Sequence, residues 1–350
     1  MKLLKKIFID GLSGMAHGLF ATLIIGTILS QAGLFMGGSA GEIMYAVGKV
    51  ASSLTGAGIG VGVAARFKES PLVTLSAATA GMIGAFAGKI LAGTMFLEGA
   101  VVLSGPGEPL GAFLAAYIGI EAGHLVAGRT KVDILVTPVV TIISGGIAGL
   151  LAGPPISEMM MKIGSLINWG TEQQPFVMGI VVSVIMGMAL TLPISSAALG
   201  VILDLSGLAA GAATIGCCCN MVGFAVASYR ENKTGGLLAQ GIGTSMLQIS
   251  NIVRKPVIWI PAILSSAVLG PIGTVGLKMM NNATGSGMGT AGFVGQIMTW
   301  QTMTAVETPG IVMIKILAMH FILPGLLSFF ISEFMRKKKW IKEGDMKLEV

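Results

Sequence analysis

One acidic residue, Glu108, lies where an ionisable side chain is least expected. It stands in the stretch Ser-Gly-Pro-Gly-Glu-Pro of residues 104–109, with long apolar runs on both sides. Proline removes a backbone donor and glycine adds conformational freedom, so this stretch predicts a break between two helices. Within a bilayer, broken backbone persists only where protein or a water-filled cavity satisfies its polar groups. A carboxylate there predicts a role in binding or coupling, with a buried structural carboxylate as the alternative.

A second carboxylate, Glu307, begins a similar stretch, Glu-Thr-Pro-Gly. We expect it to face the same polar ligand as Glu108, from a partner break. Asn281 and Asn282 lie in a glycine-rich segment, 278–289, that is too polar to span a membrane. This segment either dips back into the membrane, where both amides become candidate ligands, or forms an extracellular loop.

Three further polar residues lie inside apolar runs. Glu121 and His124 are three residues apart and therefore share a helix face, where they either bond to each other or present an acceptor and a donor to a ligand. Asn220 lies in the middle of a predicted span, and its amide can both donate and accept.

The chemistry of these side chains favours an uncharged, polyhydroxylated solute. A carboxylate accepts from neighbouring hydroxyls, and an amide donates and accepts. An anionic substrate would need a cation at depth, where the candidates are Lys89 and Lys315. Both side chains are long enough to reach the membrane surface instead.

Signatures of metal, cofactor or enzyme chemistry are weak. Cys217, Cys218 and Cys219 are consecutive, so on a helix they point in different directions and do not form one metal site. His17 and His320 have no cysteine or carboxylate at ligand spacing, and we interpret them as hydrogen-bonded packing residues. The sequence therefore predicts no metal, no cofactor and no catalytic domain, and whether the chain belongs to an enzyme system stays open.

The composition identifies a membrane protein. Of 350 residues, 53% are hydrophobic and 11% are charged, whereas soluble domains carry about 25% charged residues. Apolar runs of about 18 or more residues recur along the chain, which is typical of transmembrane helices. The sequence contains no basic domain of the kind that would indicate nucleic-acid binding. We predict about ten spans, at residues 12–35, 43–65, 72–97, 112–127, 134–151, 175–192, 205–227, 237–252, 257–276 and 311–331.

An internal repeat divides these spans. Gly18–Gly26 resembles Gly179–Gly187, and Val61–Ala64 resembles Val222–Ala225, both shifted by 161 positions (18 to 179, 61 to 222). Five spans in each half give inverted copies, a transporter plan with the binding site between them. The predicted fold is an all-α polytopic membrane protein of two inverted five-helix repeats with re-entrant or broken segments. Its parts are a first repeat at 1–152, an interfacial amphipathic connector at 153–172, a second repeat at 173–335 and a cytoplasmic basic tail at 336–350.

Basic residues set the predicted orientation. The N-terminal Met-Lys-Leu-Leu-Lys-Lys is followed by an apolar run without a convincing cleavage site, so we expect a retained first span. With both termini cytoplasmic, most basic clusters fall inside, as the charge rule for cytoplasmic loops requires. Arg230 and Lys233 fall outside, an exception that an inverted repeat explains.

Residues 105–113 resemble the Gly-Ile-Thr-Glu-Pro-Ile signature of the membrane IIC components of bacterial phosphotransferase sugar systems. In length and hydropathy the whole chain is similar to a divergent IIC-like family that includes perfringolysin O regulator-like proteins. The resemblance implies that Glu108 contacts the sugar from a re-entrant hairpin, and that the protein is a homodimer with an elevator-like motion. Pro106 and Gly107 replace the Ile-Thr of the signature. Nothing soluble remains to carry a phosphorylated residue, so separate IIA and IIB subunits would supply phosphorylation.

The expected function is a permease for a small polar solute, a sugar, in the lipid bilayer of the bacterial cytoplasmic (inner) membrane, working by alternating access. A membrane sensor or regulator that binds such a ligand without moving it is one alternative. A proton- or ion-coupled transporter, in which Glu108 or Glu307 takes up a proton, is another.

Overall fold

The computed structural model describes residues 6–97, 99–103 and 105–348, and these are mostly helical. Residues 1–5, Glu98 and Ser104 of the predicted break, and the last two residues of the predicted tail lie outside the described residues. The chain divides into two compact units, Met1–Met160 and Met161–Val350. The division falls within the predicted connector 153–172.

Unit 1 consists of helices of very different lengths and one short hairpin. Its elements are α1 Lys6–Met36, α2 Gly38–Ser53, α3 Thr55–Arg66, α4 Pro71–Ala85, α5 Ala87–Leu91, β1 Phe96–Leu97, β2 Ala100–Val101, α6 Pro109–Val126 and α7 Asp133–Thr171, which continues into unit 2. The strands pair antiparallel. The helix predicted to run to residue 97 stops at Leu91, and the next begins at Pro109, so the predicted break around Glu108 is confirmed.

Unit 2 alternates long helices with short, irregular ones. Its elements are α8 Pro175–Thr191, α9 Ser196–Ile202, α10 Gly207–Ala227, α11 Tyr229–Leu238, α12 Ile249–Arg254, α13 Pro256–Gly276, α14 Ala283–Ser286, α15 Val294–Met303 and α16 Pro309–Lys337. Helix α10 is the most buried of the long helices and is central to this unit. It packs closely on α8, where a Cβ on Gly216 would overlap the carbonyl oxygen of Ser183.

The described residues contain six helices that are long and apolar enough to cross a membrane, or seven if α2 and α3 form one span bent by 53°. Helices α4 and α8 are apolar but shorter, at 15 and 17 residues. The class of an all-α, multi-pass membrane protein is thus established, while ten spans and inverted repeats remain predictions. The predicted connector continues the helix before it without interruption, within α7.

A first broken segment, from Tyr229 to Arg254, leaves one end of unit 2 and returns to the same end. At its start Arg230 donates to Glu333 at 2.8 Å, and just after it Lys255 pairs with Asp345. Between them the chain passes through α11, a π-helical turn at Ala239–Gly243 and a 3₁₀ turn at Ser245–Gln248. The predicted span 237–252 is therefore wrong, because this segment folds back. Its amides bond to protein groups, as when Gln248 donates to the Met346 carbonyl at 3.0 Å.

The same contacts correct the predicted side of Arg230. Beside the Arg230–Glu333 pair, Arg336 donates to the Ala227 carbonyl at 3.0 Å and pairs with Glu231 at 2.9 Å. Arg230 and the C-terminal tail therefore lie at one end of unit 2. The prediction that they lie on opposite sides of the membrane is wrong.

A second broken segment enters unit 2 from the opposite end of α10. Asn281 bridges to Gly207, the first residue of α10, and further on the Thr290 hydroxyl lies 3.5 Å from the sulfur of Met221. The segment thus runs inside the unit along α10, and it is not an extracellular loop. Its last turn, Ala291–Phe293, lies against the π-helical turn Ala239–Gly243 of the first broken segment. Two irregular segments from opposite ends therefore meet inside unit 2.

Candidate functional site

Glu108 occupies the N-cap position of α6, with its backbone anchored to the end of α4. Its amide N–H donates to the Ala85 carbonyl at 2.8 Å. Gly107 has a φ of +76°, and a Cβ there would lie 2.7 Å from the Ala85 Cβ, so only glycine fits this turn without strain. The Glu108 side chain is half-buried. The Pro-Gly-Glu-Pro stretch thus holds the Glu108 carboxylate at the start of α6, beside the C-terminal end of α4.

The length of α6 indicates how deep Glu108 lies. The helix has 18 residues, which corresponds to about 27 Å at a rise of about 1.5 Å per residue. The hydrocarbon core of a bilayer is about 30 Å thick. If α6 crosses the bilayer along its full length, Glu108 at its first turn is closer to one membrane face than to the midplane. Its predicted role in binding the solute remains a prediction.

Glu121 and His124 lie at the other end of α6, in a group of surface charges. Glu121 pairs with Lys6, and His124 Nδ1 lies 2.9 Å from Glu69 Oε2. The His124 side chain is 61% exposed. The structure therefore gives Glu121 an ionic partner and His124 a carboxylate partner, each from another part of unit 1, and the predicted ligand role of the pair stays a prediction.

Glu307 lies in the link between α15 and α16, beside Lys315. The Lys315 ammonium lies 2.6 Å from Glu307 Oε1 and donates to the Leu277 carbonyl at 2.7 Å. Both side chains are largely buried, and Glu307 Oε2 has no hydrogen-bond partner. The lysine therefore neutralises the carboxylate, and one carboxylate oxygen remains available to a donor.

Asn220 lies at the centre of a buried hydrogen-bond network. Its Oδ1 accepts from the Trp259 indole at 2.8 Å and from the Thr191 hydroxyl at 3.1 Å. Its Nδ2 donates to the Gly216 carbonyl at 3.1 Å and to the Ser266 hydroxyl at 3.4 Å. Neighbouring protein groups thus use two acceptor and two donor positions of the Asn220 amide. A solute would have to displace one of these groups in order to bind here.

Asn281 and Asn282 shape the second broken segment. Asn281 is 1% exposed, and its Nδ2 donates to the Thr214 hydroxyl at 2.7 Å and to the Gly295 carbonyl at 3.1 Å. Asn282 caps α14, since its Oδ1 accepts from the Gly285 amide at 3.1 Å. These bonds hold the segment inside the unit, and a further role in ligand binding remains a prediction.

Sequence reasoning missed a polar cluster around His320, near the middle of α16. His320 lies near the centre of α16, within a π-helical turn at Leu317–Ile322, and is fully buried. The nitrogen Nε2 of Gln296 lies 3.1 Å from His320 Nδ1 and 3.4 Å from Cys218 Sγ. The available signal was a glutamine and a histidine in apolar surroundings. The hydrogen-bonded packing predicted for His320 is confirmed, as is the burial of the three cysteines.

The predicted site residues are thus distributed within both units. Glu108, Glu121 and His124 belong to unit 1, and the others belong to unit 2. Within unit 2, Asn281 contacts the first half of α10, and Asn220 is a residue of α10 near the end of that helix. Glu307 and Lys315 lie beside Leu277. Among the described residues, no group of three or more His, Cys, Asp or Glu side chains is arranged to hold a metal ion.

Comparison with protein families gives a match to a model described as "Phosphotransferase system, EIIC", over residues 9–348. The match covers nearly the whole chain, so it includes both units and both broken segments. No curated protein matches the sequence.

Proposed function

Because the chain belongs to the phosphotransferase system EIIC family, we propose that it moves an uncharged sugar across the bacterial cytoplasmic membrane by alternating access. Membership itself makes the chain a sugar-specific membrane permease component that cooperates with IIA and IIB components. The identity of the sugar, the moving part and a homodimeric assembly belong to the proposal. A closer kinship with perfringolysin O regulator-like proteins also remains a prediction.

The observation that carries the mechanism is the meeting of two broken segments inside unit 2. Irregular backbone at membrane depth is stable where protein buries it or where it lines a cavity. Transporters place their binding sites at such discontinuities, and one packed element moves against another to change access. The turns Ala239–Gly243 and Ala291–Phe293 supply this discontinuity here.

The charges at one end of unit 2 favour a cytoplasmic C-terminus. Arg230, Lys255 and Arg336 lie together there with the basic tail, so Arg230 ceases to be an exception to the rule that cytoplasmic loops are basic. At the other end Lys315 is paired with Glu307. We therefore propose that this end faces the cytoplasm, where separate IIA and IIB subunits reside. The predicted inverted repeat and a cytoplasmic N-terminus stay part of the proposal.

Site-directed labelling tests the orientation. Cysteines introduced at Lys233 and Lys347 should react with a membrane-impermeant maleimide from the same side, since both lie at the Arg230 end. The native cysteines are fully buried and serve as a low background. Labelling from opposite sides would refute the common end, and labelling of both from outside would refute the cytoplasmic assignment.

Uptake into proteoliposomes tests the function itself. Purified protein is reconstituted and offered labelled uncharged sugars, with and without a proton gradient and with and without phosphorylated IIB subunit. Accumulation of sugar phosphate only with the IIB subunit is the expected result. Uptake that follows the proton gradient would favour an ion-coupled transporter, and saturable binding without uptake would favour a sensor.

A further inference from the structure

Among the described residues of unit 2, three buried side chains that belong to no ion pair each keep a polar atom without a hydrogen-bond partner. These atoms are His320 Nε2, Gln296 Oε1 and Thr299 Oγ1. The residues are 0%, 7% and 1% exposed. A buried polar atom without a partner costs free energy. Native proteins pair nearly all buried polar groups, and neighbouring exceptions require a reason.

The three side chains belong to one place in the fold. Gln296 and Thr299 are three residues apart on α15 and therefore lie on one face of it. His320 contacts Gln296 at 3.1 Å. Helix α15 begins directly after the turn Ala291–Phe293, where Gly292 and Phe293 have left-handed backbone with φ of +52° and +59°. The cluster therefore lies beside the point where the two broken segments meet.

The open atoms are complementary to hydroxyl groups. If Gln296 Nε2 donates to His320 Nδ1, then His320 Nε2 carries a proton and is an open donor, while Gln296 Oε1 is an open acceptor. If the amide is turned around, Nδ1 donates, His320 Nε2 becomes the open acceptor and the amide nitrogen the open donor. Either arrangement leaves one donor and one acceptor, and Thr299 adds a hydroxyl that does both.

We propose that His320, Gln296 and Thr299 form the site in unit 2 that binds hydroxyl groups of the transported solute. This assignment rests on the proposed function, and it places the solute at the centre of unit 2 instead of beside the carboxylates Glu108 and Glu307. The π-helical turn around His320 agrees with it, because single π turns within α-helices are frequent at functional sites. Asn220 offers the contrast, since protein groups saturate its amide.

Two substitutions separate a binding role from a structural one. Thr299→Val keeps the side-chain volume and removes only an open polar atom, whereas Gln296→Met removes the open Oε1 together with the Nε2 that contacts His320 and Cys218. Because Thr299 Oγ1 lacks a protein partner, the thermal midpoint of ligand-free Thr299→Val should be equal to or above that of the wild type, while Gln296→Met should lose some stability. Affinity for the sugar should fall roughly fivefold or more, as for the loss of one neutral hydrogen bond. Thr302→Val on the same helix is the control, since that hydroxyl already donates to the Met298 carbonyl at 2.7 Å.

The measurement is calorimetric binding of uncharged monosaccharides and hexitols to the full-length protein in detergent. Weaker binding by both variants, with unchanged stability of Thr299→Val and normal binding by the control, supports the site. Wild-type affinity in both variants overturns this assignment and leaves the proposed function intact. A clear loss of thermal stability in Thr299→Val also overturns it, because its hydroxyl would then have a structural partner. Wild-type protein that binds none of these solutes overturns the proposed function, and the site with it.

Discussion

Replacing Asn220 by alanine should destabilise unit 2 more than a single lost hydrogen bond would. The amide oxygen of Asn220 is the acceptor for the Trp259 indole N–H, which is almost fully buried. The Thr191 hydroxyl keeps Ser245 at 2.7 Å as an alternative partner, and Ser266 keeps the Ala262 carbonyl at 2.9 Å. Only the indole is therefore left with an uncompensated donor.

The size of the effect follows from these partners. An orphaned buried donor costs about 1–3 kcal/mol, and the cavity left by the amide adds roughly 1 kcal/mol. Hydrogen bonds measured by double-mutant cycles in a membrane protein average only about 0.6 kcal/mol and reach about 1.7. We therefore expect Asn220→Ala to cost about 2–3 kcal/mol, which is a shift of roughly 4–12 °C in thermal midpoint for a unit of this size.

Trp259→Phe completes a double-mutant cycle. Phenylalanine has no donor to orphan, so adding Asn220→Ala to it should cost about 1 kcal/mol less than Asn220→Ala alone costs in the wild type. The assay is thermal unfolding of the full chain in detergent, followed by the fluorescence of tryptophans other than Trp259 or by the burial of Cys217–Cys219 against a thiol dye.

Two results would refute this reasoning. Additive shifts in the double mutant would mean that the indole and the amide do not depend on each other. A thermal midpoint within about 1 °C of the wild type for Asn220→Ala, together with a loss of sugar affinity, would mean that Asn220 binds solute as the sequence suggested, and is not a structural hub.

Three further predictions concern the carboxylates. Glu108→Gln tests the carboxylate site that the sequence predicts: if Glu108 accepts from solute hydroxyls, sugar binding should weaken tenfold or more, whereas a solute held by His320, Gln296 and Thr299 should bind with nearly unchanged affinity; a calorimetric titration measures the affinity. Lys315→Met should destabilise the protein by about 1–3 kcal/mol because it leaves the largely buried Glu307 carboxylate uncompensated, and Glu307→Gln in the same chain should restore most of the loss in thermal unfolding. Asp345 should hold the tail in a pH-dependent way. Burial alone would raise the pKa of its carboxyl group, but hydrogen bonds from Lys255 and from the backbone, together with the nearby lysine charges, lower that pKa below 3.8. Its contribution to stability is thus constant near neutral pH and is lost as the pH falls through the lowered pKa, which protease susceptibility of the tail between pH 7 and 3 should show.

Each of these predictions has a matched control. Glu121→Gln alters a carboxylate of the same helix that pairs with Lys6 near the surface, so it should leave sugar affinity unchanged. The Glu307→Gln, Lys315→Met pair is compared with each single variant, and a loss in the pair equal to the sum of the two single losses would show that the two side chains do not stabilise each other. Asp345→Asn should remove the acid dependence of tail cleavage; a variant that keeps it would exclude Asp345 as the titrating group.

The amino-acid pattern alone was sufficient to predict the class of protein and most helix positions. Helices α6, α8, α10 and α13 begin and end within three residues of the predicted spans. Long apolar runs must satisfy their own backbone in lipid, and helices do so locally, so composition suffices. The break before Glu108 was predictable for the same reason, because proline and glycine act on their own stretch of backbone.

Whether a helix crosses the membrane or returns was not a local property. Residues 237–252 are apolar enough to resemble a short span, yet the segment folds back because Gln240 and Gln248 bond to each other and Lys255 pairs with Asp345 in the tail. Lys255 and Asp345 are 90 residues apart in the sequence, and no periodicity identifies either contact. The predicted side of Arg230 was wrong for the same reason. Residues 237–252 had been counted as a membrane crossing between Arg230 and the C-terminal tail, which placed the two on opposite sides.

The sequence by itself thus determined that this chain is a helical membrane protein with carboxylates at helix breaks, since hydrophobic transfer and backbone geometry act over short stretches. Only the tertiary structure decided which polar groups are satisfied. Asn220 is saturated while Gln296, Thr299 and His320 retain open atoms, although all four look alike as polar residues in apolar surroundings. The physical reason is that a hydrogen-bond partner is chosen by packing between distant helices, which the order of residues does not encode locally.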